Sequence, residues 1–211
     1  MDNRKQYLIL FLLLLLPILL QSGCEVIYRK NLIPLTEPFS ERPSVNKDFS
    51  LSFNLICNYM MVHGDKAPLY GYKCNEIYHE IEDVFIQSGY FKKIILSKTM
   101  SDFHMDLEIV SLGDLQPLEL ASAFICGFTL GIVPYVSTTG YELNCHITRK
   151  DGIKKSYKIT DKAIAVRGGL AGLADKDNKN VTTIEELRVN MYRYLILQME
   201  KDGLFSGKNW L

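Results

Sequence analysis

Two alternating stretches carry the side chains best suited to chemistry. His104, Asp106 and Glu108 alternate with Phe103, Met105, Leu107 and Ile109, and Glu142, Asn144 and His146 alternate with Leu143, Cys145 and Ile147. In an extended chain this puts each polar set on one face of a strand. Neighbouring strands would then gather two imidazoles and three carboxylates, a donor set for a metal-dependent periplasmic enzyme using His104, Asp106, Glu108 and His146. An antiparallel sheet covered on one side needs a polar outer face in any case. That plainer reading is the one adopted, with no catalytic residue, no metal ligand and no cofactor expected. Glu76 and His79 have the spacing of two ligands on one helix face, but a di-iron site needs a second such pair and the chain has none. GxSxG, HExxH, a phosphate-cradling glycine loop and a paired-cysteine zinc knuckle are all missing from the sequence.

The elements that must position these residues can be traced from residue 48 onward. Phe49, Leu51, Phe53, Leu55 and Cys57 alternate with Ser50, Ser52 and Asn54, which predicts a strand with one buried face. Ile77, Tyr78, Ile81, Val84 and Phe85 recur at helical spacing over Asn75–Ser88, with Asn75 as cap and Gly89 after the end. Phe91–Ser97 reads as a second strand, parallel to the first through the helical crossover. The short link Lys98–Asp102 then predicts an antiparallel hairpin with the third strand, Phe103–Ile109. Side-chain parity sets the next hairpin. A two-residue turn at Asp151-Gly152 would put Cys145 opposite Lys158, whereas a loop of Lys150-Asp151-Gly152 with Gly152 left-handed pairs Cys145 with Tyr157 and Leu143 with Ile159. The last helix starts at the capping box Thr183-Ile184-Glu185-Glu186 and runs to about Asp202, before Gly203, with a wide apolar face. The sum is an α+β fold of two layers, a mixed five-stranded sheet with two helices, in the order β-α-β-β, apolar excursion, β-β, apolar excursion, α.

The apolar run Leu8–Leu20 follows Arg4 and Lys5 and ends at Gln21-Ser22-Gly23-Cys24. A membrane-spanning helix needs about 18 or more apolar residues, so this shorter run reads as a cleaved export signal. QSGC resembles the lipobox of bacterial lipoproteins, with Leu20 one place earlier than the motif's leucine. The resemblance implies that Cys24 receives a diacylglycerol and an acyl chain and becomes the mature N-terminus. The division is then residues 1–23 signal peptide, 24–47 lipid-anchored tether carrying Pro34, Pro38 and Pro43, 48–205 a single α/β domain, and 206–211 tail. Lys and Arg number 24 and Asp and Glu 24, a balance that does not point to nucleic acid. Of the five cysteines, Cys57, Cys74, Cys126 and Cys145 remain, as two bridges or as small apolar core residues.

Both excursions flank the fourth and fifth strands. Leu120–Tyr141 holds no charged residue, and Ala163–Ala174 reads AIAVRGGLAGLA. Because the two strands form a hairpin, the excursions emerge at the same end of the sheet. They are either core or a surface that docks on a membrane or partner. A small seam at Ala123 and Gly127 suits packing, while Phe124, Phe128, Leu130, Ile132, Arg167 and Leu170 are the candidate contacts, each buried methylene adding about 0.8 kcal/mol.

With QSGC, SGYFKKI, TLGIVPY and YELNCHI, and its element order from about Phe49 to Asp202, the chain resembles small envelope lipoproteins built on the fold of the TolB N-terminal domain, such as the curli secretion channel subunit and the penicillin-binding-protein activators. The resemblance implies a non-enzymatic accessory or assembly component, anchored by lipid in the outer membrane facing the periplasm, with an envelope protein as partner. Cys24 is the one functional residue it carries across.

Overall fold

The computed structural model describes residues 25–29, 31–35, 49–61, 64–69, 72–95, 101–114, 117–129, 133–167 and 181–205. The signal segment, Cys24, most of the tether, Leu130, Ile132, Leu170 and the tail lie outside them. The described chain is mixed α and β, with eight strands and three helices where the pattern predicted five and two. In order these are β1 (Glu25–Arg29), β2 (Phe49–Met60), β3 (Lys66–Pro68), α1 (Tyr72–Gln87), β4 (Phe91–Ile94), β5 (Phe103–Asp114), α2 (Pro117–Phe128), β6 (Tyr135–Arg149), β7 (Lys154–Arg167), β8 (Val181–Thr182) and α3 (Ile184–Lys201). Strands hydrogen-bond in the order β3-β2-β5-β6-β7-β1-β8, with β4 also on β2. Two compact units result. One comprises Met1–Lys30, Asp114–Thr139 and Ala163–Thr183, and the other Asn31–Gly113, Gly140–Lys162 and Ile184–Leu211.

The larger unit is built around β2. Its register with β5 is parallel, Leu51 opposite Phe103 and Cys57 opposite Ile109, and β4 lies parallel to it along Phe49–Leu51. The antiparallel hairpin predicted for the strands flanking Lys98–Asp102 therefore does not form, because β4 and β5 take opposite sides of β2. Asp102 fixes this choice. Its carboxylate accepts from Ser50 N and Oγ, both at 2.7 Å, which holds the start of β5 beside the start of β2. The predicted parallel crossover through α1 does form. α1 begins at Tyr72, a turn before Asn75, where the Cys57–Cys74 disulfide ties that extra turn to β2.

One core unites the inner sheet face with both long helices. Leu51, Phe103, Met105, Leu143, Cys145 and Ile147 meet Ile77, Ile81 and Phe85 of α1 and Met191, Leu195 and Met199 of α3. Arg149 N donates to Ile153 O at 2.8 Å and Gly152 has φ +92°, so the hairpin has the three-residue loop that parity selected. Gly89 (φ +81°) and Gly203 (φ +70°) follow α1 and α3 as read. Asn31–Leu35, assigned to the tether, is held by side chains of this unit. Asp161 accepts from Leu32 N, and Asn190 accepts from Leu35 N at 2.9 Å and donates to Ile33 O at 3.2 Å.

In the smaller unit, β1 lies between β7 and β8, antiparallel to both, with Ile27 opposite Ala165 and Thr182. Val26 and Ile27 point to opposite faces and are both buried, so this strand shows no polar alternation. The start of the expected tether is thus part of a sheet. The first apolar excursion starts inside α2, which begins at Pro117, and Ala163–Arg167 of the second continues β7.

Candidate functional site

The polar faces of β5 and β6 do lie side by side, as their patterning requires, but their groups are engaged with one another. Glu108 accepts from Lys66 Nζ at 2.7 and 2.8 Å, from Asn58 at 2.9 Å and from Asn144 at 3.1 Å. Asn144 also donates to Glu142 at 3.0 Å, and Glu142 pairs with Lys158 at 2.8 Å. The result is a ladder that alternates cation, carboxylate and amide across β3, β5, β6 and β7. The hydrogen bond from Lys66 holds the Glu108 carboxyl below the usual carboxylate range. Burial alone would raise Glu142, but its bonds to Lys158 and Asn144 outweigh this and lower it too.

The two histidines part company. His146 is exposed, with Nδ1 2.8 Å from Ser156 Oγ on β7. His104, expected on the wet face, is only 5% exposed. It sits opposite Ser52 of β2, whose Oγ lies 2.8 Å from His104 Nδ1 and 2.7 Å from Ser101 Oγ. Its Nε2 faces the Asp106 carboxylate at 3.3 Å without an aligned hydrogen bond, and Asp106 also accepts from Asn54 at 2.8 Å. Among the described residues no three His, Cys, Asp or Glu side chains converge as a metal ion would need, so the His104, Asp106, Glu108, His146 set is not assembled. Burial pushes the Cys145 thiol up, beneath this face, which makes it a core residue and not a nucleophile.

Glu76 and His79 line an open groove of about 550 Å³ between α1 and α3. Arg188 of α3 closes its floor by gripping both carboxylate oxygens of Glu80, and donates to Tyr141 Oη at 3.1 Å. His79 is well exposed and stands 3.5 Å from Glu82, so the Glu76/His79 spacing belongs to a solvated helix face.

The smaller unit offers a different kind of surface. On α2, Phe124 is 81% exposed, Phe128 87% and Ile125 50%. With exposed Ala121 they recur at the i, i+3, i+4, i+7 spacing that ordinarily faces a core. The inward side carries the half-buried Ser122, Cys126 and Thr129 instead. Gly127 of the expected packing seam is exposed, and a Cβ built there would meet nothing within 4 Å, so the seam does not pack at that point. Val133 and Val136, which follow α2, are also exposed. Arg167 at the end of β7 is exposed and sits 5.9 Å from the centroid of the Tyr135 ring on β6, so the two excursions are neighbours where they can be seen.

No family model and no curated protein matches the chain. Two solved structures cover most of it. One is a DUF4136 family protein from Bacteroides thetaiotaomicron, 11% identical over 85% of this chain and 97% of that one, with a TM-score of 0.31. The other is a PelC dodecamer from Paraburkholderia phytofirmans, 4% identical over 82% and 95%, with a TM-score of 0.28. Likeness at this level carries no argument about activity, which rests on the surfaces just described.

Proposed function

We propose that the chain is a non-enzymatic lipoprotein of the bacterial envelope. It is exported, cleaved before Cys24 and held by diacylglycerol and an acyl chain on that cysteine, in the outer membrane facing the periplasm, as an accessory or assembly component for an envelope protein. The observation that carries this reading is the apolar run Leu8–Leu20 with its export layout ending at Cys24. Among the described residues the first strand, β1, starts at Glu25, directly after the candidate lipid site. The Cys57–Cys74 disulfide supports export, since such bonds persist in oxidising compartments. On the sheet face where acid–base groups gather, the carboxylates are engaged by Lys66, Lys158 and neighbouring amides, as suits a structural surface.

Metabolic labelling with a fatty acid tests the anchor. Wild-type protein should carry label and fractionate with membranes, whereas Cys24→Ser should lose the label and become soluble or stay unprocessed. Equal labelling of the two would overturn the assignment.

A further inference from the structure

We infer that α2 is an interfacial helix that lies in the bilayer leaflet holding the Cys24 lipid, with Phe124, Ile125 and Phe128 among the acyl chains. This rests on the lipoprotein reading and extends it to a second point of membrane contact. The helix is turned the wrong way for a water-facing element. Its apolar stripe points out while Ser122, Cys126 and Thr129 point in, and Thr129 Oγ1 satisfies itself on Ile125 O at 2.8 Å. Such an outward stripe is stable beside an apolar phase.

The chain itself indicates which apolar phase. β1 belongs to the same compact unit as α2, and β1 begins one residue after Cys24. One residue spans about 3.5 Å, so a lipid on Cys24 leaves no slack and holds this unit at the bilayer surface. The one charged residue of α2 is Glu119 in its first turn, and none occurs from Leu120 to Tyr141 to oppose insertion of the Phe124–Phe128 end. In the same unit the exposed Arg167 guanidinium, set beside the Tyr135 ring, supplies a cation for lipid phosphate, and an aromatic ring with a polar tip suits the headgroup layer.

The test uses full-length, lipid-bearing protein with Trp210→Phe and Phe124→Trp, so that the single tryptophan reports on α2. It is reconstituted into vesicles of phosphatidylethanolamine and phosphatidylglycerol. Trp emission should shift to the blue, iodide quenching should fall, and lipids brominated on their acyl chains should quench. In the Cys24→Ser chain, Phe124→Ser with Phe128→Ser should lower vesicle partition by about tenfold or more with the melting temperature unchanged. A tryptophan still open to iodide in lipid-bearing, vesicle-bound protein overturns the inference while leaving the anchor intact. Protection that appears without vesicles and grows with protein concentration marks a second copy as the occupant, and protection that requires added envelope protein marks a protein partner. Either outcome also overturns it. Should wild-type protein carry no lipid while its α2 tryptophan is quenched by brominated chains, the anchor fails and the membrane helix stands.

Discussion

Phe85, Phe91 and Phe103 are sealed in the core of the larger unit, whereas Phe124 and Phe128 stand almost fully exposed on α2. The residue type is the same in both regions, and Phe85 of α1, like Phe124 and Phe128 of α2, belongs to an apolar row at helical spacing. What differs is the neighbour. Phe91, Phe103 and Phe205 meet edge to face or tilted at centroid distances of 5.7 to 5.8 Å, while among the described residues no ring packs on Phe124 or Phe128. Apolar periodicity therefore does not by itself say whether a face is packed in the core.

Mutations should separate the two regions sharply. Phe103→Ala, in the sealed region, should cost about 3 to 5 kcal/mol in thermal or urea unfolding, the cost of a large cavity. Breaking the 17-residue Cys57–Cys74 link that joins α1 to β2 should cost about 3 kcal/mol by loop entropy. Reduction should reproduce that loss in wild type and change nothing in a Cys57→Ser, Cys74→Ser double variant.

The charged ladder should matter much less. Lys66 and Glu108 are 40% and 27% exposed, so solvent screens their pair, and Lys66→Met should cost about 0.2 to 1 kcal/mol. The sign of its pH dependence follows from the lowered Glu108 carboxyl. That stabilisation is fully present above the ordinary carboxylate range and is lost as pH falls through the lowered folded value. Lys66→Met should therefore raise the Glu108 midpoint in a carboxyl NMR titration and flatten the acid limb of the stability curve. Smallest of all is the expected effect of Phe128→Ala, within about 0.5 kcal/mol. A loss there as large as at Phe103 would erase the contrast between the regions.

Where local geometry decides, the sequence was sufficient. Parity along Leu143–Ile147 and Gly152 determined the hairpin register, and Gly89 and Gly203 marked the helix ends. Where a distant partner decides, it was not. A short link between two strands suggests a hairpin, yet the Asp102 bonds to Ser50 put β4 and β5 on opposite sides of β2. β1 lacked a readable period because successive residues Val26 and Ile27, which point to opposite faces, are both buried. Four cysteines could not announce which two join. His104 read as exposed because alternation is blind to what stands opposite, and here it is buried together with Ser52, whose hydroxyl meets its ring, and Ser101. The outward apolar row on α2 was visible as a choice between core and docking surface, and Phe124 and Phe128 are exposed.

The lipid on Cys24 is the central claim of the proposed function, and the first tryptic peptide of the mature protein tests it most directly. Cleavage after Arg29 would release Cys24-Glu25-Val26-Ile27-Tyr28-Arg29. Its mass in protein purified from membranes should equal that of the peptide plus a diacylglyceryl group and an acyl chain, with the same peptide missing from Cys24→Ser. An unmodified Cys24 peptide, or one that still continues back through Gly23, would contradict the account.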